Sequence, residues 1–84
     1  MNDRNWKEVV EVFRENFEDD TLNITAETTA SDVQGWDSIA HVKLLIALED
    51  RFRIRFTTGE AARMENVGHM VEYIEKRLRE QGRG

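Results

Sequence analysis

Apolar residues recur at helical spacing in three separate stretches of this 84-residue chain, and no proline interrupts any of them. Trp6, Val9, Val10, Phe13 and Phe17 fall at i, i+3, i+4, i+7 and i+11, which is one stripe of an amphipathic helix. Leu44, Leu45, Leu48 and Phe52 form a second stripe, and Val67, Met70, Val71, Ile74 and Leu78 a third. Proline would break such helices. Its absence, with many strong helix formers, points to an all-α fold.

The local signals place the ends. The first helix is expected to start near Asp3 and stop in Glu18-Asp19-Asp20, because carboxylates at a helix C-terminus oppose the macrodipole. The second is expected over Ser38–Phe52, with Asp37 or Ser38 as its N-cap. Thr57-Thr58-Gly59-Glu60 fits a capping box and predicts a short third helix. Asn66 is a suitable cap for the last. Phe52-Arg53-Ile54-Arg55-Phe56 alternates with period two, setting Arg51, Arg53 and Arg55 opposite the apolar residues. A single short strand would lack a partner, so an extended connection is expected. Thr21 to Trp36 is long for a loop, and loops of that length are commonly functional. Its apolar Leu22, Ile24 and Val33 are expected to anchor it to the core. The fold is thus a four-helix bundle with a long loop between helices 1 and 2.

Composition removes several function classes. A domain this small buries only about 60% of its unfolded surface, so no deep water-excluding cleft is expected. With no cysteine, disulfides, thiolate metal sites and a cysteine nucleophile are excluded. No apolar run approaches the ~20 residues of a membrane span, and Met1 to Trp6 lack a signal-peptide pattern. A cytoplasmic monomer is expected. Net charge is -5, divided as -7 over residues 1–38 and +2 over 39–84. That balance argues against non-specific nucleic-acid binding, which needs an excess of Lys and Arg. Residues 1–80 read as one domain and 81–84 as a flexible tail.

The second helix carries more apolar surface than a core needs. On a wheel of about 100° per residue, Ile39, Val42 and Ile46 cluster about 140° away from the Leu44, Leu48, Phe52 face. Either the loop and the third helix cover this surplus stripe or a partner does. Ser38 lies between the two stripes at the helix start.

Gly35-Trp36-Asp37-Ser38-Ile39, followed by Leu44, Leu48-Glu49 and Phe52, resembles the phosphopantetheine-attachment helix of acyl and peptidyl carrier proteins. Phe56-Thr57, Ala61, Met64, Val67 and Tyr73-Ile74 continue the likeness over nearly the whole chain. The resemblance implies that the chain is a carrier, not an enzyme. Ser38 would receive 4′-phosphopantetheine from coenzyme A, through a separate Mg²⁺-dependent phosphopantetheinyl transferase. Asp37 matches the acidic residue that helps the transferase dock. Trp36, Ile39, Val42, Lys43 and Ile46 match positions that face acyl-loading and acyl-processing enzymes, though Trp36 is also expected to pack over the loop. The cofactor would bring the thiol that the chain lacks. Fatty-acid carriers usually have an acidic second helix. Ala40-His41-Val42-Lys43, the three arginines and the bulky Trp36 depart from that pattern. The resemblance therefore implies a specialised lipid or polyketide-like pathway. A peptidyl or aminoacyl carrier and a non-covalent helical adaptor are the alternatives.

Other chemistry has a weaker footing in the sequence. His41, three residues after Ser38, suggests a Ser–His dyad, but no nucleophile turn accompanies it, and helix packing is the simpler reading. His69 is expected on an exposed face with no metal partners. Glu18-Asp19-Asp20 lacks the ligand distribution of a calcium loop. Arg51, Arg53 and Arg55 read as a solvated face, with a phosphate or partner contact near the arm as the alternative.

Overall fold

The computed structural model describes residues 3–82. Four helices follow in order: α1 Asp3–Asn16, α2 Ser38–Phe52, α3 Thr58–Ala62 and α4 Val67–Glu80, with a 3₁₀ turn at Ala30–Asp32. No strand occurs among the described residues. The three predicted stripes meet in one core, in which Val9, Phe13, Leu44, Leu48, Val67, Met70, Val71 and Ile74 are fully buried. Such a core, not intrinsic propensity, supplies most of the stability of helices this short.

α1 stops at Asn16, just ahead of the acidic run, and backbone geometry supplies the stop. Glu18 adopts a left-handed φ of 53°, and the Phe17 and Asp19 N–H groups close on the carbonyls of Phe13 and Arg14 at 3.0 Å. These bonds satisfy carbonyls that the helix end would leave bare. Asp19 then turns on Thr21, accepting its hydroxyl at 2.7 Å and its N–H at 3.0 Å.

The long loop is fastened at both ends and in the middle. Arg14 Nε donates to the Leu22 carbonyl at 2.9 Å, and Ile24 and Val33 are buried. The carbonyls of Thr28 and Ala26 accept the Val67 and Gly68 N–H groups at 2.9 and 2.8 Å. Those are the first, otherwise unpaired, donors of α4. Gly68 permits this approach, since a Cβ there would stand 3.0 Å from the Ala26 carbonyl oxygen. Asn66 completes the start of α4 by accepting the His69 N–H at 2.9 Å.

The three arginines after Leu48 do not share a solvated face. Arg51, still in α2, pairs with Glu11 at 3.1 Å and lies 3.8 Å from Glu8 and Glu15, so it faces α1. Arg53 closes α2 in the left-handed region at φ 57°, which breaks the period-two alternation. Arg55 is exposed and lies 3.9 Å from Glu49. Beyond the end of α2, only Ile54 of residues 53–56 is buried outright. Thr57 and Glu60 form the expected capping box on α3. Arg77 of α4 pairs with Glu60 and Glu80, both at 2.6 Å, and donates to the Arg55 carbonyl at 3.0 Å. Gln81 caps α4. Gly82 follows with a left-handed φ of 73° and its N–H on the Arg79 carbonyl at 3.0 Å; Arg83 and Gly84, the last of the expected tail, lie outside the described residues, as do Met1 and Asn2.

Candidate functional site

The turn before α2 is built by Gly35, whose φ of 87° is left-handed and whose surroundings are open. The Trp36 N–H reaches the Val33 carbonyl at 3.2 Å and the Asp37 N–H the Gly35 carbonyl at 3.0 Å. Asp37 is the N-cap: its Oδ1 accepts the Ala40 N–H at 2.8 Å and its carbonyl accepts the His41 N–H at 2.9 Å. Ser38 is therefore the first residue of α2. It is exposed, and its hydroxyl makes no hydrogen bond to another described residue.

Beside it runs the surplus apolar stripe, uncovered. Ile39, Val42 and Ile46 are 68%, 55% and 59% exposed, and they are the exposed large hydrophobics of the described residues. Neither the loop nor α3 covers them. Lys43 is exposed on the same helix. On the α1 side, Asn16 Nδ2 donates to the Ala40 carbonyl at 3.3 Å. A shallow cleft lined by Asn16, Phe17, Gly35, Asp37, Ile39 and Lys43 opens there.

Trp36 is not on the exposed strip with Ile39, Val42 and Ile46. It is only 8% exposed, set edge-on to Phe13 at 5.4 Å and tilted against Phe17 at 6.0 Å. Its indole N–H donates to His41 Nδ1 at 3.1 Å, and the two rings stack at 6.0 Å. A tryptophan buried in this way needs such a partner for its N–H. The bond also disposes of the Ser–His dyad: Nδ1 is occupied by Trp36, and no hydrogen bond joins His41 to Ser38. No sequence signal marks this pair, because its members stand five residues apart across a helix cap.

The remaining candidates are structural. His69 is half-buried rather than exposed, and its Nδ1 accepts the Glu65 N–H at 3.4 Å. Among the described residues no group of three His, Asp or Glu side chains could hold a metal ion. No helix among them is long and apolar enough to cross a membrane.

Residues 7–74 match the family profile described as "Phosphopantetheine attachment site", a span that includes the α2 turn. The chain is 35% identical over 71 residues to an acyl carrier protein of an Exiguobacterium species, covering 84% of this chain and 90% of that one. It is 33% identical over 70 residues to an acyl carrier protein of Helicobacter pylori, covering 83% and 90%. The solution structure of a holo acyl carrier protein from Geobacter metallireducens superposes with a TM-score of 0.86 at 34% identity, over 92% of this chain and 88% of the other. Proteins of this kind carry acyl groups on 4′-phosphopantetheine and are not enzymes. With the fold, the length of the match and the relatives in agreement, the chain belongs to the acyl carrier protein family.

Proposed function

We propose that Ser38 is the residue that bears 4′-phosphopantetheine, and that the chain serves a specialised acyl-transfer pathway with its own enzymes. The observation that carries the first part is the placement of Ser38: an exposed, unbonded primary hydroxyl opening α2, beside an uncovered apolar strip. The surroundings have room for the arm, since even a Cβ on Gly35 would meet nothing within 4 Å. In the loading reaction, Ser38 Oγ attacks the phosphorus that bears the pantetheine half of coenzyme A. An Oγ–P bond forms, the P–O bond to adenosine 3′,5′-bisphosphate breaks, and the hydroxyl proton passes to a base of the transferase. Once attached, the group supplies the thiol on which an acyl chain rides as a thioester. Tethering keeps that cargo at a high effective concentration near each enzyme.

The second part rests on charge. Lys43 and Arg53 are exposed on and just after α2, and the only acid among the solvent-facing residues between Ile39 and Arg53 is Asp50. Enzymes that present basic patches to acidic carriers would meet like charge here and associate more slowly. Ile39, Val42, Ile46 and Lys43 are read as the partner surface. The cysteine-free composition suits a cytoplasmic setting, and the reading takes the protein as a monomer.

Incubation with coenzyme A, Mg²⁺ and a broad-specificity phosphopantetheinyl transferase, followed by intact mass measurement, tests the attachment. The wild type is expected to gain one phosphopantetheine and Ser38→Ala none. A modified Ser38→Ala protein would sink the assignment, and an unmodified wild type would favour a non-covalent adaptor. Turnover by general fatty-acid synthesis enzymes as good as with their own carrier would refute the specialised role.

A further inference from the structure

We infer that Trp36 and His41 act as a latch that positions Ser38 for loading. This rests on Ser38 being the attachment residue. The pair brackets that serine, two residues before it and three after. Few bonds hold the turn to α2. Gly35 has open space around it; the backbone N–H groups of Trp36 and Asp37 bond back to Val33 and Gly35, within the turn itself, and one backbone bond, from the His41 N–H to the Asp37 carbonyl at 2.9 Å, crosses into the helix. Two side-chain bonds cross from the turn to the first turn of the helix: Asp37 to the Ala40 N–H at 2.8 Å, and Trp36 to His41 Nδ1 at 3.1 Å. The first caps the helix. The second joins it to Phe13 of α1 and to Phe17 just past its end, because Trp36 also packs on both rings. The peptide bonds on both sides of Ser38 are thereby referred to the core.

The bond has a direction. An indole N–H can only donate, so His41 Nδ1 must accept and the imidazole proton must sit on Nε2. A transferase has to bring Ser38 Oγ into line with the phosphorus of coenzyme A, and small misplacements of a reacting atom are costly in rate. His41 is a positioning residue, acting through Trp36 and the turn, and does not itself touch the reacting atoms.

Three substitutions separate this role from plain packing. Trp36→Phe keeps a ring in the core but removes the donor. His41→Phe keeps a stacking ring but removes the acceptor. His41→Asn places an amide oxygen near the position of Nδ1. With coenzyme A and a broad-specificity transferase, Trp36→Phe and His41→Phe are each expected to lower kcat/KM about five-fold, the scale of one lost hydrogen bond. The double variant should lose no more than either single one, and His41→Asn should recover most of the rate. Long-range proton–nitrogen NMR of the unmodified wild type should show His41 protonated on Nε2 alone. A proton on Nδ1, wild-type rates for both Phe variants, or His41→Asn as slow as His41→Phe would each overturn the latch. If the wild type itself is not loaded, the Ser38 assignment fails instead; the tautomer measurement needs no transferase and judges the hydrogen bond by itself.

Discussion

Asp37 has two duties that a single substitution would confuse. Its Oδ1 holds the Ala40 N–H at 2.8 Å, and its charge sits at the positive end of the α2 dipole, directly before Ser38. Losing a side-chain N-cap typically costs about 1 kcal/mol. A carboxylate near a helix N-terminus adds about 0.3–1 kcal/mol at an exposed site. Asp37→Ala should therefore lower stability by about 1 kcal/mol and also slow loading. Asp37→Ser keeps a capping oxygen and removes only the charge. It should stay within about 0.5 kcal/mol of wild type in urea unfolding, since serine caps nearly as well, while loading slows if the charge is what the transferase recognises. Equal loading of Asp37→Ser and wild type would confine Asp37 to capping. That Asp37 or Ser38 caps α2 was legible in the sequence; that Asp37 is the one that does so follows from its bond to the Ala40 N–H. The burial of Trp36 was not legible there. It depends on Phe13 and Phe17, from the far end of the long loop, arriving beside the turn.

At the scale of the element, α2 has two apolar faces with different consequences. Leu44 and Leu48 are fully buried, whereas Ile39, Val42 and Ile46 stay mostly in water. Leu48→Ala should cost about 2–5 kcal/mol, because it removes transfer energy and leaves a cavity. Changing Ile39, Val42 or Ile46 to Gln should each shift stability by no more than about 0.5 kcal/mol, as at other exposed positions. Paired urea titrations would check both, and destabilisation by the Gln variants comparable to Leu48→Ala would show that the strip is covered after all. Periodicity made both faces readable, since Ile39, Val42 and Ile46 cannot share the core side with Leu44 and Leu48. It could not say whether another element covers the second face; that follows from where the loop docks, on α4 through the Thr28 and Ala26 carbonyls. The arginines following Leu48 depart from the expected solvated face for the same kind of reason. Only the position of α1 shows that Arg51 meets Glu8, Glu11 and Glu15, and only a left-handed Arg53 takes the chain out of alternation.

Across the whole molecule, an ion pair between Glu60 and Arg77 at 2.6 Å ties the short α3 to α4, and this should give the fold an acid-sensitive joint. The Thr57 N–H bonded to the Glu60 carboxylate, with the Arg77 guanidinium beside it, holds that carboxyl below the ordinary glutamate range, although partial burial works the other way. Arg77 is raised by its bond to Glu80 and its contact with Glu60, and stays charged throughout. A group whose folded pKa is depressed adds stability that is fully present above its unfolded value and is lost as pH falls through the folded one. For Glu60 that loss lies on the acid side of about 4.3. Glu60→Gln keeps an oxygen for the Thr57 N–H but gives up the ionic contact with Arg77. Because the pair is partly exposed, solvent and salt screen it, and the variant should melt about 2–4 °C below wild type at neutral pH. The sign of the linkage requires this difference to shrink as pH is lowered, because a protonated Glu60 and the neutral glutamine amide of the variant then resemble one another. Melting curves of the two proteins across the acid range decide it. A gap that stays constant with pH would mean that the Glu60 charge contributes nothing, and that α3 is held by its cap and by apolar packing alone.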